Sequence, residues 1–558
     1  MAPTGFCVTQ PAWGTPPSSP SFGEKVLLVP AVAGPGVENR RTCLLKRPVQ
    51  YCRTRSQRRQ ILRFVDFIPP DRLKPAADRL GRVALLTVVF LFLGCGGSGP
   101  NKPPADLTQV SGSTPFAAGC NRAPQTGTLY SSTGVEPFLA IDPNDPSHLV
   151  GVWQQDRWSN GGANGLLTGV SRDGGRTWAR TFAPLSRCAG GNASNGGDYE
   201  RASDPWVTFS PDGTAYQISV SFNNSDQGAG KAILASRSTD GGSTWGDPIA
   251  LTRDLDVDVA VDKQTITADP RDARLVYAVW DRLTQLTNPN PAMVSGPTWF
   301  ARLANDTWEP AHIIFDPGAD AQTVSNQIVV LPDGTLVNLF MLITQASSMN
   351  PEKRVAIQRS TDKGVTWPSP VVIDQSFTIG VADPKTHRRI RAGSIIPGIA
   401  ADPVTGKLYV VWQDSRFSNG LRDGIAMSTS LDGGVIWSAP IQLNQSPNTP
   451  AFTPAIAISA HGRVGVTYYD FRTDDPNNPN SLLTSYWLVT SEDGGATWEE
   501  KAIGEAFDMR TAPVVDGYFV GDYEGVAADG ESFTSFFSAA TFPHVGNATS
   551  IYFYAEAP

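Results

Sequence analysis

The chain has 558 residues with 53 glycines, 45 prolines and 9% aromatics, the composition of a folded, turn-rich protein with room for several domains or one large repeat. Residues 1–94 hold 14 Lys/Arg against 5 Asp/Glu, a net of +9, so with −8 overall residues 95–558 carry −17. An acidic body of that size repels phosphate backbones and excludes nucleic acid as a partner.

In chain order, residues 1–75 come first. They are basic (RTRSQRRQILRF) with poor periodicity and read as a disordered extension or a start codon placed too early. Residues 76–94 read as a targeting segment. The run VALLTVVFLFL at Val83 is too short to span a bilayer as a helix; Arg79 and Arg82 precede it, and Gly94-Cys95 follows. This resembles a bacterial lipoprotein signal with Cys95 as the lipid-bearing residue, although Phe92 stands where Leu is usual. An ordinary secretory signal is the alternative. Export to the cell envelope is expected, with membrane attachment only through the lipid, and the mature protein is expected to be a monomer. Residues 95–127 read as a linker and 128–558 as the folded body. In an exported protein Cys120 and Cys188 are expected to form a disulfide. No Cys or His spacing points to zinc, and the oxygen-rich run DDPNNPN at Asp474 reads as a solvated turn, so no metal and no cofactor is expected.

The body is organised by a repeated octamer. It reads SRDGGRTW at Ser171, STDGGSTW at Ser238, STDKGVTW at Ser360, SLDGGVIW at Ser430 and SEDGGATW at Ser491. A worn copy, LANDTW, supplies Asp306 and Trp308. The aspartates 173, 240, 306, 362, 432 and 493 are spaced by 67, 66, 56, 70 and 61 residues. Before each octamer the same order recurs: strand, tight turn, strand, loop, strand, as in TPAIAISAHGRVGVTYYDFRTDD followed by LLTSYWLVTSEDGGATW. Four strands per unit and a period near 60 predict an all-β fold, a β-propeller of four-stranded antiparallel blades. First strands are expected near Phe138, Trp206, Thr265, Ile328, Gly398, Pro454 and Gly525, which gives seven blades, with six as the alternative. The last unit lacks a fourth strand. A segment before Phe138, such as TLYSS, is expected to supply it.

Each residue type in the octamer suits a hairpin clasp between third and fourth strands. The Asp carboxylate folds onto nearby N–H groups, the glycines take positive φ, and the Trp buries a ring against its own blade. Asp173, Asp240, Asp306, Asp362, Asp432 and Asp493 are therefore structural. These octamers are similar to the Asp-boxes, or BNR repeats, of the sialidase superfamily, over roughly residues 135–500. That resemblance marks fold strongly and function weakly, since Asp-boxes also occur in binding proteins and other glycosidases.

The box turns and the chemistry fall on opposite faces in this reading. The far face collects Asp156-Arg157, Asp281-Arg282, Asp414 with Arg416, and Asp470 with Arg472 from the ends of second strands. It also collects Glu200, Arg201 and Asp204, then Asp262-Lys263, Arg389 and Arg391, and the run GYFVGDYEG with Tyr518, Asp522, Tyr523 and Glu524. The superfamily resemblance implies three arginines on a sugar carboxylate, a Tyr nucleophile with a Glu base, and an Asp acid/base. Carried over, it points to Tyr523, Glu524, Asp156 and Asp204 as catalytic candidates. It points to Arg157, Arg201, Arg282, Arg391, Arg416 and Arg472 as binders of a glycan or other anionic extracellular ligand. The chain departs from the pattern in lacking the Arg-Ile-Pro motif: the corresponding lead-in is SSTGVEPFLAID. Three functions stay open: a sialidase-like glycoside hydrolase, a non-catalytic glycan- or protein-binding propeller, and an envelope assembly platform.

Overall fold

The computed structural model describes residues 107–224, 230–286, 293–540 and 548–556. The targeting segment and Cys95 lie outside these residues. The described chain is all-β, with three short 3-10 turns and no α-helix among the described residues.

Strand pairing follows the repeat. Seven successive antiparallel meanders begin with the strands Leu129–Asp142, Arg201–Phe209, Val259–Ala268, Ala321–Val330, Gly398–Ala401, Ala451–Ile458 and Gly525–Asp529. Second strands are the most enclosed. Leu408–Asp414 and Val464–Asp470 are buried along their whole length, because sheets cover them on both faces. Apolar clusters join each meander to the next: Val150 and Val207 between the first two, Tyr277 and Ile328 between the third and fourth, Trp412 and Leu339 between the fourth and fifth. The last meander packs back on the first through Trp153, Phe536 and Ile551. First strands neighbour one another in the same order, and Gly525–Asp529 also lies beside Leu129–Asp142.

The last meander takes its outer strand from Leu107–Gln109, which pairs with Thr549–Ala555. This corrects two expectations. TLYSS belongs to the first strand of the first meander, and residues 107–127 are part of the fold rather than a linker. Leu129 and Tyr130 are already paired with Trp158 and Arg157 inside the first meander, which leaves Leu107 to lie opposite Tyr554 on the last. Cys120 and Cys188 are joined in a disulfide that ties this entering segment to the residues after the first octamer.

The octamers are turns between third and fourth strands. In the first, the Ser171 hydroxyl donates to Asp173 Oδ1 at 2.9 Å and accepts from the Gly175 N–H at 2.9 Å. The Thr177 N–H and hydroxyl donate to the two Asp173 oxygens at 2.9 and 2.6 Å. The Trp178 indole donates back to the Gly175 carbonyl at 2.9 Å. The octamers at Ser360 and Ser491 repeat the Ser, Asp and Thr bonds. These bonds hold the Asp173, Asp240 and Asp362 carboxyls down at about 2, the Thr hydroxyl bond being the largest cause.

Five first strands start earlier than expected because they run through a bulge. Pairing with the second strand skips two residues at Glu136-Pro137, Asp204-Pro205, Lys263-Gln264, Ser325-Asn326 and Thr453-Pro454. The first residue of each pair has positive φ: 52°, 53°, 50°, 62° and 52°. Such a bulge re-aims a side chain that the regular pleat would send into a sheet face.

Candidate functional site

All seven meanders converge on one cavity of about 180 Å3. Phe138, Trp206, Gln327, Ile399, Ala455 and Val526 form its walls, and Asp204, Lys263, Ser325, Tyr523 and Glu524 add polar groups. Phe138 and Trp206 stack at 3.5 Å between ring centres, and Tyr523 leans on Trp206 at 5.4 Å. No octamer aspartate lines this cavity.

The bulges bring a dense set of charges to one end. Lys263 Nζ donates to Asp204 Oδ2 at 2.6 Å and to Asp522 Oδ2 at 3.1 Å. Asp522 also receives the Arg391 fork, with Nε on Oδ1 at 3.0 Å. Gln154 Nε2 donates to Glu136 and, at 3.4 Å, to Asp204 Oδ1, so one amide spans two carboxyls. Environment pushes the carboxyls in different directions. Burial raises Glu136 to about 8, with Asp204 adding to the effect. Burial also acts to raise Asp204 and Asp522, but Lys263 holds Asp204 down, and Arg391 and Lys263 hold Asp522 down. Glu524 has no such counter-charge. Burial pushes it well above the usual range, although the Tyr469 hydroxyl and then the Ser538 N–H, which donates to it at 3.0 Å, act the other way.

Of the four catalytic candidates, Tyr523, Glu524 and Asp204 line this cavity. Asp156 lies elsewhere: it accepts from the Thr114 hydroxyl at 2.7 Å, the Ser132 N–H at 2.7 Å and Asn164 Nδ2 at 3.1 Å, and clasps the entering segment. Tyr523 donates its hydroxyl to the Pro205 carbonyl at 2.9 Å. Burial first, and then Glu136, Asp204 and Asp522, push that phenol well up, so it keeps its proton.

Two of the six candidate arginines reach the charged end. Arg157 and Arg391 both lie over the Phe519 ring, at 5.1 and 4.6 Å. The other four are engaged by protein groups. Arg201 is buried over Trp158 and donates to Gln125, Asn160, Gly161 and Thr126. Arg282 grips Asp254 at 2.7 Å, Arg416 bonds Asp374 at 2.8 Å, and Arg472 bonds Asp470 and Glu500 over Trp487. Asp281, beside Arg282, bridges to the next meander by accepting from the Ser325 N–H at 2.8 Å and Asn326 Nδ2 at 2.5 Å.

Glu136, Gln154 and Trp206 were not among the expected site residues. A usable signal was present. Aligning first strands puts Glu136-Pro137, Asp204-Pro205, Ile396-Pro397 and Thr453-Pro454 at one repeat position, where proline's missing N–H fits a skipped pairing. Among the described residues no cluster of three or more His, Cys, Asp or Glu side chains is placed to hold a metal ion.

No family model matches the chain. Among solved structures, it is similar to a Hadza microbial sialidase at 16% identity, covering 73% of each chain with a TM-score of 0.41. It is similar to an α-L-arabinanase of Penicillium chrysogenum at 13% identity, covering 65% of this chain and 93% of that one, TM-score 0.41. It is also similar to a Streptococcus pneumoniae sialidase at 9% identity, covering 82% of this chain and 98% of that one, TM-score 0.39.

Proposed function

We propose that the chain is an exported, seven-bladed Asp-box β-propeller that acts on a sugar residue held in the shared cavity. The cyclic order of apolar clusters and of first-strand neighbours supports seven blades closed into a ring. The octamer bonds, repeated turn after turn, support the Asp-box reading. Residues 76–94 and Cys95 would deliver the protein to the envelope as a lipoprotein.

One observation supports the glycoside hydrolase reading: Asp204, paired with Lys263 at 2.6 Å, and Glu524, which faces no cation, line the same aromatic-walled cavity, and their surroundings push the two carboxyls in opposite directions. Cleaving a glycosidic bond needs such a pair, one carboxylic acid to protonate the leaving oxygen and one carboxylate to act as base or nucleophile. Glu524 fits the acid and Asp204 the carboxylate. Phe138 and Trp206 offer the apolar faces on which sugar rings stack. Tyr523, whose hydroxyl donates to the Pro205 carbonyl at 2.9 Å, serves as a wall in this reading. Lys263 and Arg391 already face the protein's own carboxylates, which favours a neutral sugar over a sialic acid.

A panel of chromogenic glycosides, neutral and sialic, tests this with residues 95–558. Turnover that is lost in both Asp204→Asn and Glu524→Gln is expected. A second reading, a non-catalytic glycan binder, is favoured by the engagement of Arg201, Arg282, Arg416 and Arg472 by protein partners. Glycan-array binding without turnover would select it, and neither binding nor turnover would reject both.

A further inference from the structure

Between the fourth and fifth meanders the chain takes a detour. Strands Val381–Ala382 and Arg389–Arg391 pair with each other, and the second of them pairs in parallel with Tyr518–Phe519, the lead-in to the last meander. The seat is tight. Gly393 has φ +57°, and a Cβ there would stand 1.9 Å from the Asp522 carbonyl oxygen. This pairing delivers Arg391 to Asp522, with Nε to Oδ1 at 3.0 Å and the second nitrogen closing the fork on Oδ2. Asp522 then shares Lys263 with Asp204, at 3.1 and 2.6 Å. Three ion pairs thus run from a linker far along the chain to the cavity wall.

Resting on the glycan-active reading of that wall, we propose that Arg391 and Lys263 are positioning residues for Asp204, acting in series through Asp522. The physics is a competition for one ammonium. Lys263 is nearly enclosed, with 10% of its side chain exposed, and Asp204, Asp522 and Asp262 all face it. Arg391 neutralises Asp522, which leaves the Lys263 charge to Asp204. Without Arg391, Asp522 would draw Lys263 away, and the surroundings of Asp204 would gain net negative charge. Both effects favour protonation of Asp204. The other groups facing Asp204 are Glu136, Arg157, Tyr523, the Ser203 hydroxyl at 2.5 Å and the Gln154 amide. Glu136 and Arg157 also feel the Arg391 charge, but the hydrogen-bonded path from Asp204 to the linker runs through Lys263 and Asp522.

The experiment follows the Asp204 carboxyl directly, by NMR of protein labelled with 13C at aspartate carboxyls, the signal being identified by its loss in Asp204→Asn. Lys263→Met and Arg391→Ala should each raise its titration midpoint by roughly 1–3 pH units, and Arg391→Lys by less. An unchanged midpoint in Arg391→Ala overturns the series. If that variant does not fold, Asp522→Asn decides: it removes the competitor, so the midpoint should be no higher than in the parent, and a rise overturns the proposal. Midpoint shifts in a protein that neither turns over nor binds any sugar would sink the glycan reading and leave the ion chain standing. Turnover by the parent with no midpoint shift in the variants would do the reverse.

Discussion

Asp204 and Lys263 occupy the same bulge position on adjacent first strands, with φ of 53° and 50°, and meet at 2.6 Å. A repeat that places equivalent residues side by side has here been given opposite charges. The left-handed backbone at each site costs of order 1–3 kcal/mol. The return is that side chains from successive units converge, which a regular strand would not allow.

Cavity and octamer aspartates should separate in experiment. Asp204→Asn should lower glycoside turnover by roughly 10²–10⁴-fold while the protein still folds, since Lys263 keeps Asp522 at 3.1 Å. Asp493→Ala should do the opposite, lowering Tm and leaving turnover intact, because its partners are the local Ser491, Ala496 and Thr497. Parallel kinetics and melts on the two variants check this.

Glu136 makes stability depend on pH. Its carboxyl is raised from 4.5 to about 8 in the folded chain, first by burial and then by Asp204. Between these values the folded state holds a proton that the unfolded state has released, so its contribution to stability falls as pH rises through this window and levels off above it. Glu136→Gln should flatten that slope. Melting curves from pH 5 to 8 with the same slope in both proteins would show that Glu136 is ionised throughout.

The two glycines of the first octamer should differ. Gly174 and Gly175 have φ of 70° and 84°, but only at Gly175 does a Cβ meet an obstacle, the Phe553 ring at 1.9 Å. Gly174→Ala should cost about 1 kcal/mol from backbone strain. Gly175→Ala should cost more, by roughly 1–3 kcal/mol of overpacking against the last meander. Denaturant titration of both variants gives the order.

Reduction should weaken the junction of the entering segment. The Cys120–Cys188 bridge closes a loop with a sequence separation of 68. Chain entropy assigns such a loop about 4 kcal/mol. The melt in reductant, or that of a Cys188→Ser variant, should fall accordingly. Exchange protection should be lost first in Leu107–Gln109, because this short outer strand has one strand neighbour, Thr549–Ala555.

Much of this was legible in the octamers. A local clasp such as Ser171, Asp173, Gly175 and Thr177 makes all its bonds within a few residues, so its spacing alone fixes the turn, and the turns fix the repeat and the all-β class. The site was only partly legible. Asp-x-Arg pairs look alike in sequence, yet Arg472 closes on Asp470 and Glu500 in its own meander while Asp281 bridges to the next. What only the tertiary structure decided is which charges meet. Arg391 and Asp522 are separated by 131 residues, Lys263 and Asp522 by 259, and Thr114 finds Asp156 across the entering segment. Sequence determines contacts whose partners lie within reach of a few backbone dihedrals. Contacts between first strands depend on how successive meanders pack on one another, and no local pattern encodes that.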